Sequence, residues 1–324
     1  MKLRNSPKRQ RLSALGALLA LAASSSVIAG TPAVDAVDTI PLPNQTQDTS
    51  LALTTTNYFS TAFDGLDTRL GVSRYAGYGQ FQFKLGGPWL LKVFVEGEYS
   101  LYSFDRLPAT VPSPVLTSVL RGATFANVDA TLAYTFAKGW AIVGGGRVTS
   151  GAATEANYGN SFTGGGILAL KKSFLNGGVD VTLGASYTTR LARSAQVLPY
   201  VDVDVNVLPS FVTLPINFLL EYNGGILTYQ VTDKFALIAM GQYNLRDYRL
   251  TNNLVASKGV WSERGVDLGG GFAYAPAKKN YALSIYGGYE VFRNVEVYAR
   301  NGGKLFDRDV NPTPFVAVDF HASF

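Results

Sequence analysis

Residues 201–207 read Val-Asp-Val-Asp-Val-Asn-Val, four valines at every second position with Asp202, Asp204 and Asn206 between them. Only an extended chain gives this sequence two uniform faces, because successive strand side chains point to opposite sides while helical ones rotate by about 100°. The same alternation recurs along the chain. Phe81, Phe83 and Leu85 stand against Gln80, Gln82 and Lys84; Leu91, Val93, Val95, Tyr99 and Leu101 against Lys92, Glu96, Glu98 and Ser100. Val128, Ala130, Leu132 and Tyr134 oppose Asp129, Thr131 and Thr135, and Val181, Leu183 and Tyr187 oppose Asp180, Thr182, Ser186 and Arg190.

Carried through the chain, the pattern predicts strands over 51–61, 78–85, 89–104, 124–136, 140–150, 161–172, 179–191, 201–207, 211–222, 225–231, 235–250, 263–275 and 281–293, with a last one ending at Phe324. Residues 64–74 read as a polar loop. Pro209, Pro215 and Asn223-Gly224-Gly225 allow 208–225 to be one long strand or two short ones, so about 14 strands are expected, with 12 as the alternative. Long connections at 105–122, 151–160, 251–262 and 294–311 tend to alternate with tight ones at Gly86, Gly139, Asn176, Asp233 and Pro276. Short turns at one rim and long loops at the other are the pattern of an outer-membrane barrel, and a soluble sandwich has no reason to segregate them.

Alternation alone does not say which face meets water, and the ends of the chain supply that choice. Lys2, Arg4, Lys8, Arg9 and Arg11 precede an apolar run over 12–23 and the small-residue sequence Val27-Ile28-Ala29, the three regions of a secretory signal peptide. The apolar run is too short for a spanning helix, which needs about 18 residues or more. A leader over 1–29 also accounts for the basic balance. Removing its five basic residues from 28 leaves 23, matching the 23 acidic residues, so the pI is no sign of nucleic-acid binding. With no cysteine there is neither a disulfide framework nor an N-terminal lipid anchor. Residues 30–50, with Pro32, Pro41 and Pro43, read as a flexible segment, and 51–324 as the barrel.

Aromatic residues flank the tight turns: Phe83 and Trp89, Phe136 and Trp140, Tyr229 and Phe235, Tyr274 and Tyr281. They are placed for a girdle at one membrane interface. The chain closes with Val316, Val318, Phe320 and Phe324 in one register. This ending resembles the terminal strand of bacterial outer-membrane β-barrels, and it implies recognition by the barrel assembly machinery and residence in outer-membrane lipid. The second half, from Pro199 through Tyr229 and from Arg249 to Phe324, is similar to outer-membrane barrels known only as a domain of unknown function. The expected fold is thus all-β, a single closed antiparallel transmembrane β-barrel with both termini on the periplasmic side.

With the apolar phase facing lipid, the polar phase lines the lumen. It supplies the acids Glu96, Glu98, Asp129, Asp180, Asp202, Asp204, Glu221, Asp267, Glu290 and Asp319, the bases Lys84, Lys92, Arg147, Arg190 and Arg246, and His321. Charge along a narrow low-dielectric lumen sets ion selectivity, so acids outnumbering bases two to one lead to an expected pore for small solutes with weak cation preference. The competing expectation is a non-conducting barrel filled by ion pairs whose loops bind a partner. An outer-membrane lipid-modifying enzyme is a remote third. Asp319, His321 and Ser323 alternate on one strand about 6.6 Å apart, too far for the roughly 3 Å contact a nucleophile needs with its base. The triplets at Gly144, Gly164 and Gly269 lie inside strands with no following helix, so they are bends rather than phosphate loops. One histidine and scattered carboxylates offer no metal set, and no cofactor is expected.

If the leader and terminal strand are read correctly, the mature chain begins near Gly30 and fractionates with the outer membrane. Deleting Phe324 then lowers the heat-modifiable folded band on a gel far more than deleting any one residue of 30–50. Equal losses, or recovery in the soluble periplasm, would contradict the reading.

Overall fold

The computed structural model describes residues 49–106, 120–175, 178–191, 193–205, 216–221, 224–232, 234–251, 256–274 and 281–323. The leader, nearly all of 30–50, most of the 105–122 loop, the turn at Pro276 and Phe324 lie outside them. The strands are β1 (Thr49–Ala62), β2 (Arg69–Gly86), β3 (Trp89–Asp105), β4 (Gly122–Ala137), β5 (Trp140–Ala153), β6 (Phe162–Phe174), β7 (Val179–Thr188), β8 (Gln196–Val205), β9 (Ile216–Glu221), β10 (Gly224–Gln230), β11 (Phe235–Arg249), β12 (Val260–Tyr274), β13 (Tyr281–Tyr298), β14 (Lys304–Val310) and β15 (Thr313–Ser323).

Each strand pairs antiparallel with the next from β1 to β13, β13 pairs with β15, and β15 returns to β1. The ladder therefore closes on itself as a ring of 14 antiparallel strands, with β14 an added hairpin strand on β13. Closure leaves the ring without a free terminal strand, as a sheet surrounded by lipid requires. The apolar phase faces out: Leu53, Val148, Leu168, Leu183, Val197, Leu237 and Phe272 are all at least half exposed. Phe83, Trp89, Phe136 and Phe235 are exposed at the tight turns, Trp89 packs on Tyr134 at 4.6 Å between ring centres, and Lys172 lies 4.5 Å over Trp140. Gly86, Gly87 and Gly139 have positive φ at those turns, a conformation in which a β-carbon is strained.

Several predicted boundaries move. The polar loop at 64–74 shrinks, because β2 begins at Arg69 and runs on with Leu70, Val72 and Arg74 buried. Alternation failed there because the interior at the long-loop end is apolar, so the inward phase no longer reads as polar. The long loop at 294–311 is largely the upper part of β13 plus β14. That hairpin is laced by Asn294 donating to Asp307 and Asp309 and by Lys304 reaching Glu296 and Asp307. The hydrogen bonds from Asn294 and Lys304 hold the Asp307 carboxyl below the ordinary carboxylate range. Of segment 208–225 the described residues hold β9 and the start of β10, while 208–215, with Pro209 and Pro215, lie outside them.

The described parts of β9 and β10 have six and seven residues, against the roughly 9–11 that a spanning strand uses. β10 pairs with β11 as far as Gln242, and among the described residues none pairs with the upper half of β11 on that side. This half meets β5 instead, where Arg249 pairs with Ala152 in parallel. Because β5 and β11 lie six strands apart around the ring, the contact crosses the lumen and divides its long-loop end into two lobes. One is bounded by β11–β15 and β1–β5, the other by β5–β11.

The first lobe is filled by a continuous apolar cluster at the long-loop end, including Tyr58, Phe63, Leu70, Val72, Tyr102, Tyr248, Trp261, Val295 and Val297. The rings of Tyr102 and Phe104 meet Trp261 edge-on at 5.8 and 6.1 Å. The crossing depends on Gly151, where a β-carbon would stand 2.2 Å from the Asp247 carbonyl oxygen. Gly151→Ala is therefore expected to push β5 off β11 and to destabilise the barrel by about 1–3 kcal/mol, the usual cost of overpacking. Urea unfolding in detergent micelles measures it, and an unchanged midpoint would show that the crossing does not constrain the fold.

Candidate functional site in the lumen

Halfway down the first lobe, below the aromatic cluster, charged side chains from opposite walls meet. Glu98 on β3 accepts from Arg246 of β11 at 3.1 and 3.2 Å, from Tyr248 at 3.2 Å, from Arg74 of β2 at 3.4 Å and from Ser100 at 2.7 Å. Glu263 on β12 accepts from Arg74 at 2.8 Å, Arg293 of β13 at 2.6 Å and Tyr102 of β3 at 3.0 Å. Arg293 also lies 3.2 Å from Glu290. The ring of Tyr58 sits against two of these guanidiniums, those of Arg74 and Arg293, at 5.2 and 5.7 Å. Its hydroxyl, like the amide of Asn244, donates to Asp267 at 2.8 Å. Every one of these side chains is buried, Arg293 completely. Such charges are tolerable because each guanidinium reaches a carboxylate of the opposite or neighbouring wall.

A second group lies in the other lobe. Arg147 of β5 grips Asp129 of β4 through two nitrogens at 2.5 and 2.6 Å, and Asn127 donates to the same carboxylate at 2.9 Å. Nearer the long-loop rim, Arg190 crosses to Asp247 at 2.9 and 3.1 Å and to Ser262 at 3.2 Å. Arg193 reaches Glu296 and Tyr298 from the same connection. Around Arg147 and Arg190 the wall consists largely of Gly145, Gly164, Gly165, Thr149, Ser161, Thr163, Ser186, Thr188 and Thr189, leaving cavities of about 20 and 50 Å³. On the tight-turn side Lys171 pairs with Asp180 at 2.6 Å, and Asp202 and Asp204 stand in register with Thr182 and Asp180.

The expected lumen residues are thus distributed unevenly. The structure buries Lys92, Glu96, Glu98, Asp129, Arg147, Asp202, Asp204, Arg246, Asp267, Glu290, Asp319 and His321, and half-buries Asp180 and Arg190. Lys84 is a correction: it is exposed, because the polar phase of β2 runs on past the lumen to the Gly86 turn. Glu221 ends β9, and its side chain lies outside the described residues. Asp319 accepts from Thr54 at 2.6 Å and Tyr78 at 3.5 Å, while His321 is flanked across the ladder by Ala52 and Ala282. These neighbours bring no nucleophile opposite His321.

Five buried charged residues among those described were not foreseen: Arg74, Lys171, Glu263, Arg293 and Glu296, the last in the supposed loop at 294–311. Arg74 lay in the supposed loop, Lys171 and Glu263 near supposed strand ends. Arg293 was hidden by a bulge. Phe292 has φ +53° and is 82 % exposed, and two residues of β13 stand opposite Gly265 alone, so the phase flips and Arg293 points inward like Glu290 three residues earlier. A run of Tyr-Glu-Val-Phe-Arg offers no glycine to signal this. With three added bases and two added acids, the two-to-one acidic excess of the sequence reading shrinks.

No family model matches the chain, and no curated protein does, which leaves the likeness of its second half to a domain of unknown function without support. Solved structures with similar folds include an outer membrane channel from Pseudomonas putida F1 (11 % identity, covering 88 % of this chain and 97 % of that one, TM-score 0.46). The Pseudomonas putida toluene transporter TodX follows (9 %, 92 % and 95 %, TM-score 0.37), with the translocator domain of the autotransporter NalP from Neisseria meningitidis (12 %, 96 % and 97 %, TM-score 0.34). At these TM-scores the likenesses add nothing to what the strand pairings already establish.

Glu263 joins two guanidiniums, so Glu263→Ala leaves Arg293 and Arg74 short of a carboxylate and is expected to destabilise the barrel by about 3–5 kcal/mol. Lys304→Ala, at a half-exposed ion pair of the hairpin, is expected to cost under about 1 kcal/mol. Urea midpoints of the two variants in the same micelles compare them, and similar losses would show that the buried network is not what holds the walls together.

Proposed function

We propose that the protein is an outer-membrane channel for small polar solutes, and that the passage runs through the lobe bounded by β5–β11. The observation that carries this reading is the contrast between the two lobes. The first is filled by aromatic rings and an ion network. The second is lined from Arg147 to Arg190 largely by glycines and hydroxyls, with Phe125, Ile167, Leu191 and Leu245 between them, and these keep much of the wall thin and offer exchangeable hydrogen bonds to a solute or its water. The apolar exterior of the closed ring supports a bilayer-spanning position, and Val316, Val318 and Phe320 face outward on β15 as a signal for the assembly machinery would require.

Two arginine–carboxylate pairs, Arg147 with Asp129 and Arg190 with Asp247, stand along this path. Solutes pass by slipping between hydroxyls as these pairs move. Asp202 and Asp204 lie on the tight-turn side of the same lobe with Asp180, three carboxylates beside Lys171, and this local excess is the basis for a weak cation preference. The second reading, a structural barrel with a permanently filled lumen, is favoured by the burial of nearly every interior charge.

Reconstitution in planar bilayers separates the two. A channel gives discrete conductance steps, reduced at least several-fold by Ser186→Trp, and Asp202→Asn with Asp204→Asn shifts the reversal potential in a salt gradient toward zero. Anion preference of the wild type, or an unchanged potential in the double variant, would refute the selectivity. Absence of any conductance would support the filled barrel.

A further inference from the structure

We infer that Asp267 and Asn244 form a binding site for a small monovalent cation, sodium or potassium, in the first lobe. This inference is independent of whether the barrel conducts. The three guanidiniums there, Arg74, Arg246 and Arg293, are matched by three glutamates, Glu98, Glu263 and Glu290. Asp267 stands outside these pairs. It is 5 % exposed, and both its donors, the Tyr58 hydroxyl and the Asn244 amide, are neutral and bind Oδ2. Among the described residues nothing reaches its Oδ1.

Asn244 completes the argument. Its amide nitrogen must face the carboxylate, since the reverse orientation would set oxygen against oxygen at 2.8 Å. The orientation is thereby fixed, and the carbonyl Oδ1, on a side chain 2 % exposed, is left without a donor. Both residues border one cavity of about 30 Å³, large enough for a water or one small ion. The carboxylates of Glu96, Glu98 and Asp267 border it against the single guanidinium of Arg74. A water would satisfy the oxygens and leave the buried charge uncompensated, whereas a cation does both. The donors are carboxylate and amide oxygens, the set that hard cations prefer, and Asp267 brings one negative charge to the ion, which suits a monovalent one. No group of three or more His, Cys, Asp or Glu among the described residues offers a transition-metal site.

Because an ion that binds only the folded barrel stabilises it by mass action, stability reads occupancy without requiring transport. Unfolding temperatures of the purified barrel in a non-ionic detergent are compared in sodium, potassium and N-methylglucamine chlorides at equal ionic strength. Sodium or potassium is expected to raise the midpoint by a few degrees in a saturable manner. Asp267→Asn abolishes the difference, and Asp307→Asn on the exposed β14 hairpin leaves it intact. Should Asp267→Asn not assemble, Asn244→Ala keeps the carboxylate, removes one ligand and shifts half-saturation to several-fold higher salt. Equal midpoints in the three salts, or a salt effect that survives both lumen variants, would overturn the proposal. So would a midpoint that responds to pH between 6 and 8 and to no cation, since the carboxyl would then hold a proton instead.

Discussion

The structure depends on a single constraint: a closed sheet with an apolar outside must keep its charges inside and satisfy them there. Glu98 and Glu263 meet it by reaching arginines on the far wall, Arg246 from β11 and Arg74 from β2. Two consequences follow from these cross-lumen bonds. They tie strands that are distant around the ring, which a ladder of neighbour-to-neighbour hydrogen bonds cannot do. They also fill the middle of the first lobe, so the architecture that suggests a wide tube contains a packed core through half its section.

The crossing of β11 to β5 has the same character. Among the described residues the upper half of β11 is paired with β12 on one side and not with β10 on the other, and unpaired backbone at that depth is costly. The contact with β5, permitted by Gly151, takes up part of that demand, and the side chain of Arg249 anchors the end of β11 by donating to the carbonyls of Asn160 and Lys258. Once β11 stands inside the outline of the barrel, Asp247, whose phase would otherwise face lipid, faces the second lobe and meets Arg190. The course of β11 in one part of the wall thus produces an ion pair in another.

Separation of the lobes assigns different chemistry to each. The first combines aromatic packing with fully buried charge, an arrangement suited to rigidity and to holding a compensating ion. The second combines glycine, threonine and serine with two movable arginine–aspartate pairs, an arrangement suited to solutes that exchange hydrogen bonds. The tight-turn rim adds aromatic rings on the outside, where their mixed polarity matches the headgroup level.

By itself the sequence determined what repeats. Period-two alternation set the strands and their outward face, turn residues set the tight rim, and together these gave the all-β class and about the observed number of strands. It also placed Glu98, Asp129, Arg246, Asp267 and Glu290 on the interior, because a residue's face follows from parity alone once a strand is in phase. Tertiary structure decided what parity cannot express. Arg74 sits where the inward phase turns apolar, and Arg293 follows a bulge at Phe292 that shifts the count by one. The meeting of Glu98 with Arg246, 148 residues along the chain, and the crossing that splits the lumen depend on how the ring closes. Those are distances across a barrel, and no local pattern along one strand encodes them.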